Sequence, residues 1–229
     1  MKRFFDVATP TRAADGFGVA LDGRAVRTPA GRSLAVPGEA LALAMVGEWA
    51  AQGDKIDFAT MPMNGLANAA IDRIAVNREA FADSLAGYAE TDCLAYRAAE
   101  PPPLAARQSD IWDPILDWAR LRYDVAIHTT PGIVHCPQPT ETVARLRAAV
   151  AAFDAFRLAG LSPLVTVSGS LIVGLAVAEG ALDAESGFRA GQLDELWQAE
   201  QWGEDDLALR TRAAHEADFK AGARFLSLL

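Results

Sequence analysis

Serine and histidine side chains are the residues through which this chain could support nucleophilic catalysis. The string Val167–Ser170 is similar to the turn that presents the nucleophile of a hydrolase, but Thr166 occupies the position of that motif's first glycine. Ser168 is better interpreted as a cap for the apolar helix predicted to follow it. A small hydrolase that uses Ser168 or Ser170 together with a histidine is therefore one hypothesis for the function.

Metal and phosphate binding are two further chemistries that sequence spacing can indicate. His128, His135 and Cys136 are close in sequence, but no CxxC or HExxH spacing accompanies them. The segments Gly16–Gly18 and Gly169–Gly174 lack the further glycine or the lysine of a phosphate-binding loop. We therefore expect no metal, no cofactor and no catalytic residue that sequence motifs alone would identify.

The composition of the chain limits its partners. Its 229 residues are 51% apolar and include 47 alanines, which is typical of a globular protein rich in helix. The net charge of −9 disfavours binding to nucleic acid or to an anionic membrane surface. The longest apolar run, 171–178, is too short for a membrane span and predicts a buried core helix. Two cysteines and no apparent targeting segment favour a soluble, cytoplasmic protein.

The first 36 residues have the turn chemistry of an antiparallel β meander. Strands are predicted over 4–9, 17–21, 24–28 and 33–36. Asp22-Gly23 is a favoured two-residue hairpin turn between the second and third of them. Residues 1–36 carry a net charge of +3 and few large apolar side chains, so this meander must pack on something helical.

The pattern becomes helical from Pro37 onwards. The first helix is expected at about 38–52, followed by a strand over 56–63 and an extended piece over 91–96. Further helices are predicted over 64–76, 78–90, 104–123, 140–156, 169–179, 183–201 and 205–228, with strand or loop at 125–127 and 134–135. In the last of these helices, Leu207 and Phe225 fall close to one apolar face.

These elements predict an α+β fold, in which a small N-terminal antiparallel beta domain precedes a mostly α-helical C-terminal domain. The predicted beta domain covers 1–60, including the helix at about 38–52, and the predicted helical domain covers 61–229. A rigid break at Pro101–Pro103 makes 100–104 a candidate joint, although the same prolines would also suit a long loop.

The acidic residues are concentrated near the C-terminal end. The segment 183–206 contains eight acids opposed only by Arg189, so it carries a net charge of −7. These acids are Asp183, Glu185, Asp194, Glu195, Glu200, Glu204, Asp205 and Asp206. Solvated helix faces and helix N-termini explain part of this charge. The alternative is a binding surface for a basic segment of a partner protein.

Four of the five tryptophans divide into two groups. Trp112 and Trp118 are in helical register, which favours packing in the core. Trp202 lies within the acidic segment, and Trp49 follows Glu48 at the end of a predicted helix. Because tryptophan beside charged residues is a common anchor at protein interfaces, Trp49 and Trp202 are equally open to a core role and to a partner-binding role.

Four motifs in order resemble those of one family of chaperones. They are Glu48-Trp49 before Thr60-Met61, then Thr91–Arg97 before the prolines, then Trp112–Trp118 followed by Arg122-Tyr123, and finally Gln201–Gly203. This arrangement resembles the assembly chaperones of the alpha subunit of the F1 sector of ATP synthase, a family of mitochondria and alpha-proteobacteria. The resemblance extends from Phe4 to the last predicted helix.

The resemblance implies a function without catalysis. Such a chaperone binds the unassembled alpha subunit and shields an interface that would otherwise self-associate. The family's acidic, tryptophan-bearing C-terminal region corresponds to Trp202, Glu204, Asp206 and Glu200, and its glutamate-tryptophan pair corresponds to Glu48 and Trp49. We expect a monomer with a protein partner. A hydrolase, or an acidic scaffold that binds basic proteins, are the competing hypotheses.

Overall fold

The computed structural model describes residues 1–229 and divides them into two compact units. The first unit comprises Met1–Arg78, Asp154–Gly160 and Arg224–Leu229. The second comprises Glu79–Phe153 and Leu161–Ala223. A small antiparallel sheet is followed by a mainly helical remainder, so the predicted α+β class is confirmed. The domain boundary at residue 60 and the joint at 100–104 concern independent folding and stay predictions.

The sheet of the first unit has three antiparallel strands in the order β1-β2-β3. They are β1 (Ala8–Ala13), β2 (Gly16–Leu21) and β3 (Arg24–Ala25). Asp22 and Gly23 have φ angles of 48° and 78°, as the predicted hairpin turn requires. The first strand begins later than predicted, because its pairing with β2 runs from Ala8 to Ala13. The predicted strand over 33–36 is reduced to isolated bridges at Ser33 and Val36.

Two helices complete the part of the first unit that matters for function. Helix α1 (Glu39–Ala50) confirms the predicted first helix and packs against β1 and β2. Helix α2 (Pro62–Ala69) continues into a π-helical turn. The strand predicted over 56–63 is wrong, because the Asp57 carboxylate accepts a hydrogen bond from the Ala59 N–H at 3.0 Å and begins a 3-10 turn there. The chain then enters α2 at Pro62, which is favoured in a first helical turn.

The remaining elements are mostly helices. They are α3 (Arg78–Ala86), α4 (Pro102–Tyr123), α5 (Thr140–Ala151), α6 (Ala155–Ser168), α7 (Leu171–Ala178), α8 (Ala184–Gly191), α9 (Leu193–Trp202) and α10 (Asp206–Ser227). Two short parallel strands, β4 (Tyr96–Arg97) and β5 (Thr130–Pro131), accompany them. The apolar run that forms α7 is a buried core helix, as predicted, and packs against α4 and α8.

Three helical predictions need correction. The predicted elements leave 157–168 without a helix, but the structure has α6 there, with Pro163 inside it. The helix predicted over 140–156 ends at Ala151, and Asp154 caps α6 by accepting a hydrogen bond from the Arg157 N–H at 2.8 Å. The helix predicted over 183–201 is two helices, α8 and α9, interrupted at Gln192.

No helix of this structure combines the length and the apolar content that crossing a bilayer requires.

Candidate functional site

The end of α9 and the beginning of α10 bring four of the predicted partner-binding residues into one short segment. We call Glu200–Leu209 the α9–α10 joint. Gly203 has a φ of 76°, which ends α9 immediately after Trp202. The Asp205 carboxylate accepts a hydrogen bond from the Ala208 N–H at 2.7 Å, which caps the first turn of α10. The turn residue and the cap therefore determine where α9 ends and α10 begins.

Large apolar side chains in the α9–α10 joint are open to solvent. Trp202 is 77% exposed and Leu207 is 74% exposed, and Leu209 is also exposed. The sequence predicted Leu207 on the apolar face of the last helix, but the structure leaves that side chain uncovered. Large apolar side chains that are exposed within one short, otherwise polar segment are typical of a surface that binds a partner. Leu207 and Leu209 are the candidate binding residues that sequence reasoning missed.

Arginines offset much of the negative charge in the α9–α10 joint. Glu200 forms an ion pair with Arg107 at 2.7 Å. Glu204 forms an ion pair with Arg212. The Asp206 carboxylate is 3.9 Å from the nearest Arg210 nitrogen, at a fully solvated position. Since solvated pairs contribute little to stability, Glu200 and Asp206 remain able to exchange partners, whereas the side chains of Glu204 and Arg212 are only 17% and 21% exposed.

Other acids of the segment 183–206 have structural roles within the chain. Asp183 caps α8 by accepting a hydrogen bond from the Ser186 N–H at 2.9 Å, and hydrogen bonds from Ser186 lower the pKa of the Asp183 carboxyl. Asp194 accepts a hydrogen bond from the Gln108 side-chain amide at 2.7 Å. The charge of −7 is thus largely committed to caps and internal pairs, which makes the exposed Trp202 the more distinctive feature.

Glu48 and Trp49 lie in the first unit. The Glu48 carboxylate accepts hydrogen bonds from the backbone N–H groups of Met63 at 2.7 Å and of Asn64 at 2.9 Å. Trp49 is buried, and its indole N–H donates to the Asn64 side-chain oxygen at 2.9 Å. The Trp49 ring has edge-on contacts with Phe5 and Phe58, with centroid distances of 5.6 and 6.3 Å. Both residues therefore have clear structural roles.

The serines at the end of α6 do not form a hydrolase site. The Ser168 hydroxyl donates to the Leu164 carbonyl oxygen at 2.6 Å. Ser170, rather than Ser168 as predicted, caps α7 by accepting a hydrogen bond from the Val173 N–H at 3.0 Å. Ser170 is fully buried, and none of the three exposed histidines hydrogen-bonds to either serine. The neighbouring carboxylate, Asp92, is itself buried, so this pair has no access to a substrate.

Asp92 caps α7 from outside the helix. Its carboxylate accepts hydrogen bonds from the backbone N–H groups of Ile172 at 3.0 Å and of Leu94 at 3.1 Å, and it also contacts the Ser170 side chain. Burial raises the pKa of Asp92 to about 6, despite these hydrogen bonds. Burial also raises the pKa of the neighbouring Cys93 thiol, which makes a thiolate nucleophile unfavourable there.

The histidines and the second cysteine form no metal centre. No group of three or more histidine, cysteine, aspartate or glutamate side chains is arranged to hold a metal ion. His135 instead contacts the Tyr96 hydroxyl through Nδ1 at 3.2 Å, and the backbone of His128 exchanges two hydrogen bonds with the Gln138 side chain.

The motif Trp112–Trp118 has a packing role, as the helical register predicted for its tryptophans. Trp112 is buried, and its indole N–H donates to the Ala190 carbonyl oxygen at 2.8 Å. The Arg97 guanidinium lies 5.2 Å from the centre of the Trp112 indole and pairs with Asp113 at 2.7 Å. These contacts hold α4 to β4 and α8 within the second unit.

The pair Arg122-Tyr123 at the end of α4 is engaged by one carboxylate. Glu179 accepts a hydrogen bond from Arg122 Nε at 2.6 Å and another from the Tyr123 hydroxyl at 2.7 Å. The Tyr123 ring also packs edge-on against Trp118, with a centroid distance of 5.7 Å. Arg122 and Tyr123, which contribute to the family resemblance, thus stabilise the packing of the second unit.

Comparison with known proteins assigns the chain to a family. A family model described as ATP12 chaperone protein matches residues 2–120, which is more than half of the chain. The chain belongs to the ATP12 chaperone family. This membership confirms the resemblance found in the sequence. The function class of the chain is that of a chaperone of ATP synthase assembly.

Solved structures and a curated relative agree with this membership. The crystal structure of Atp12 from Paracoccus denitrificans superimposes with a TM-score of 0.95 at 40% identity, covering 99% of this chain and 97% of that one. A candidate chaperone from Agrobacterium tumefaciens has a TM-score of 0.94 at 38% identity, covering 99% and 85%. The mitochondrial protein atp12 of Schizosaccharomyces pombe is 24% identical over 212 residues, which are 87% of this chain and 71% of that protein.

Proposed function

We propose that this ATP12-family chaperone binds the unassembled alpha subunit of F1 and prevents its aggregation until the beta subunit arrives. An alpha subunit without its neighbour exposes an apolar interface, and such surfaces associate nonspecifically at ordinary protein concentrations. A reversible partner that covers the interface suppresses this association by mass action. Binding of this kind needs no catalytic residue, cofactor or nucleotide.

The observation that carries the proposal is the exposure of Trp202 at the end of α9. An indole that is 77% exposed gives up favourable burial in the free chaperone, and a partner surface can recover it. Glu200, Glu204 and Asp206 surround this anchor in sequence and supply a polar rim, in which the solvated ion pairs of Glu200 and Asp206 can be exchanged for basic groups of the client.

Glu48 and Trp49 enter the proposal in a different way. Their hydrogen bonds to Asn64 and the beginning of α2 hold α1 and α2 together. We assign them a positioning role for client binding within the first unit, rather than an exposed contact. The active form is proposed to be a monomer that acts where F1 assembles, which in a bacterium is the cytoplasm.

A light-scattering assay with separately denatured F1 alpha and beta subunits tests the proposal. The chaperone is expected to suppress aggregation of the alpha subunit at stoichiometric ratios and to leave aggregation of the beta subunit unchanged. Equal aggregation of the alpha subunit with and without the chaperone, together with no co-purification, would contradict it.

Salt dependence separates this function from that of a general acidic scaffold. A scaffold that acts through charge would bind many unrelated basic proteins at low salt and release them at about 0.5 M salt, where the Debye length is only a few ångströms. Because the proposed anchor is apolar, alpha-subunit binding is expected to persist at that salt concentration. Retention of lysozyme and cytochrome c at low salt, combined with loss of the alpha subunit at high salt, would favour the scaffold.

A further inference from the structure

The first unit contains an open groove with a largely apolar lining. Its volume is about 780 Å³. Phe5, Leu21, Leu34 and Trp49 form its buried lining. Phe4 and Phe58, which are 62% and 59% exposed, also line it. Exposed phenylalanines beside an apolar groove are unusual for a free protein surface. Their burial by a ligand would contribute about 25 cal/mol of binding free energy per Å² of apolar area.

An unsatisfied amide oxygen belongs to a residue that lines the same groove. Asn68 lines the groove, and its Oδ1 atom is buried without any hydrogen-bond partner. It is the only buried side-chain nitrogen or oxygen of the chain in that state. A buried acceptor without a donor costs free energy in the free protein, and a ligand that brings an N–H group removes this cost.

Backbone and charge at the groove indicate the chemistry of the ligand. Strand β3, which supplies Arg24 and Ala25 to the lining, is the edge strand of its sheet. The Arg24 guanidinium makes no hydrogen bond or ion pair and is open to solvent, whereas the Asp22 carboxylate is already engaged by the Val7 N–H at 2.9 Å. An edge strand favours an extended peptide, and an unpaired arginine favours a carboxylate on it.

We propose that this groove binds an extended segment of a client protein that inserts a large apolar side chain beside Phe4 and Phe58 and carries a carboxylate toward Arg24. Rotation of the Asn68 side chain into the groove lets a backbone N–H of the same segment donate to Asn68 Oδ1. Trp49 then acts as part of the buried wall of the groove, which gives the Glu48-Trp49 pair a role in binding without an exposed indole. The identification of the client as the alpha subunit rests on the proposed function, whereas the groove chemistry does not.

Two capped heptapeptides test the inference on the full chain without any alpha subunit. Both have a central phenylalanine flanked by serines, and one carries aspartate where the other carries lysine two positions away. Binding is followed by ¹H–¹⁵N NMR through the Trp49 indole and Asn68 side-chain signals. The aspartate peptide is expected to shift both signals and to bind about threefold more tightly than the lysine peptide, a difference typical of an exposed ion pair.

Substitutions at the groove sharpen the test. Phe58→Ser is expected to weaken the aspartate peptide about tenfold or more. Arg24→Glu is expected to reverse the preference between the two peptides. Leu121→Ser, at a residue of α4 that is 87% exposed, is the matched control and should bind as the parent does. Far-ultraviolet circular dichroism and thermal melting of each variant report on folding.

Asn68→Ala separates a binding role from a structural one. Removing an unsatisfied buried acceptor should leave the melting temperature of the free protein unchanged or raise it, while peptide affinity falls. A lowered melting temperature with unchanged affinity would contradict this assignment. The groove inference as a whole is overturned if neither peptide shifts the two signals, or if Arg24→Glu keeps the parent's preference. It is also overturned if those signals shift with protein concentration alone, which would indicate a second copy of the chain in the groove.

The peptide result and the alpha-subunit result are independent. Peptide binding without suppression of alpha-subunit aggregation would leave the groove established and reject the proposed function. The opposite result is that neither peptide binds, while the parent and Phe58→Ser suppress aggregation of the alpha subunit equally well. That result would reject the groove and leave the proposed function standing.

Discussion

Glu48 holds Asn64 by two hydrogen bonds, one from the Asn64 backbone N–H at 2.9 Å and one from its side-chain amide at 2.7 Å. The same carboxylate accepts a third hydrogen bond from the Met63 N–H at 2.7 Å. Helix α2 lacks a capping side chain of its own, so a residue of α1 satisfies its first N–H groups. This arrangement explains why a glutamate at the end of α1 is followed by a buried tryptophan that binds the same asparagine.

Glu48→Ala tests this cap. Loss of charge-assisted hydrogen bonds to the beginning of α2 should lower the free energy of unfolding by about 2 kcal/mol, and Glu48→Gln should lower it by less. Urea unfolding followed by circular dichroism measures both values. Asp110→Ala removes an exposed carboxylate of α4 and serves as the control. Equal stabilities of the Glu48 and Asp110 variants would show that the cap contributes nothing.

Trp49→Arg and Trp202→Arg distinguish a buried tryptophan from an exposed one. At Trp49 the change removes the indole packing and the hydrogen bond to Asn64 and places a charge in an apolar site, so a loss of about 4 kcal/mol or more is expected. At Trp202 the same change should leave the melting temperature within a few degrees of the parent's. Thermal melts of the two variants, recorded side by side, check this, and similar melting temperatures would refute the difference in burial.

Asp92 should make stability depend on pH. Its folded pKa of about 6 lies above the ordinary value of 3.8, so the folded state binds more protons than the unfolded state between these values. The stability of the parent relative to Asp92→Asn should therefore be greatest below about pH 4 and fall as the pH rises through 6. A shift of this size corresponds to a fall of roughly 3 kcal/mol at most.

Urea unfolding of both proteins at several pH values from 4 to 7 measures this dependence. Groups that titrate identically in the two proteins cancel in the difference between them. A difference in unfolding free energy that stays constant over this range would show that burial does not raise the pKa of Asp92.

Gly191 and Gly47 provide opposite tests of backbone packing. A Cβ atom added at Gly191 would lie 2.4 Å from Ser168 Cβ, whereas one at Gly47 would meet nothing within 4 Å. Gly191→Ala is expected to destabilise the protein by about 2 kcal/mol or more, because packed backbone must move. Gly47→Ala, in the middle of α1, should stabilise it by up to about 1 kcal/mol. Melting temperatures that move in the same direction would contradict the assigned packing.

The elements that were predicted well are those with local causes. The turn at Asp22-Gly23 needs only two residues with positive φ, and α1 and α7 have apolar residues at helical spacing or throughout. The strand predicted over 56–63 failed because a side-chain hydrogen bond from Asp57 competes with extended backbone. Helix α6 was missed because the core that buries it outweighs the presence of Pro163.

The candidate site was only partly accessible from sequence. The type and order of residues around Trp202 were sufficient to select it, but its exposure depends on α9 ending at Gly203 and on nothing covering the joint. The role of Glu48 as the cap of α2 could not be predicted, because its hydrogen-bond partners lie 15 and 16 positions further along the chain. The groove is similarly assembled from distant segments, and an unsatisfied atom such as Asn68 Oδ1 has no signature in sequence.

We propose that the exposed indole at the end of α9 anchors the folded chaperone to the alpha subunit. The most direct measurement is the affinity of refolding-competent F1 alpha subunit for the parent, for Trp202→Ala and for Glu204→Lys, with Leu121→Ala as the matched exposed apolar control. We predict that Trp202→Ala loses on the order of 2 kcal/mol of binding free energy at an unchanged melting temperature, that Glu204→Lys also weakens binding, and that Leu121→Ala binds as the parent does. Parental affinity of Trp202→Ala, or equal losses for Trp202→Ala and Leu121→Ala, would contradict an anchoring role of Trp202.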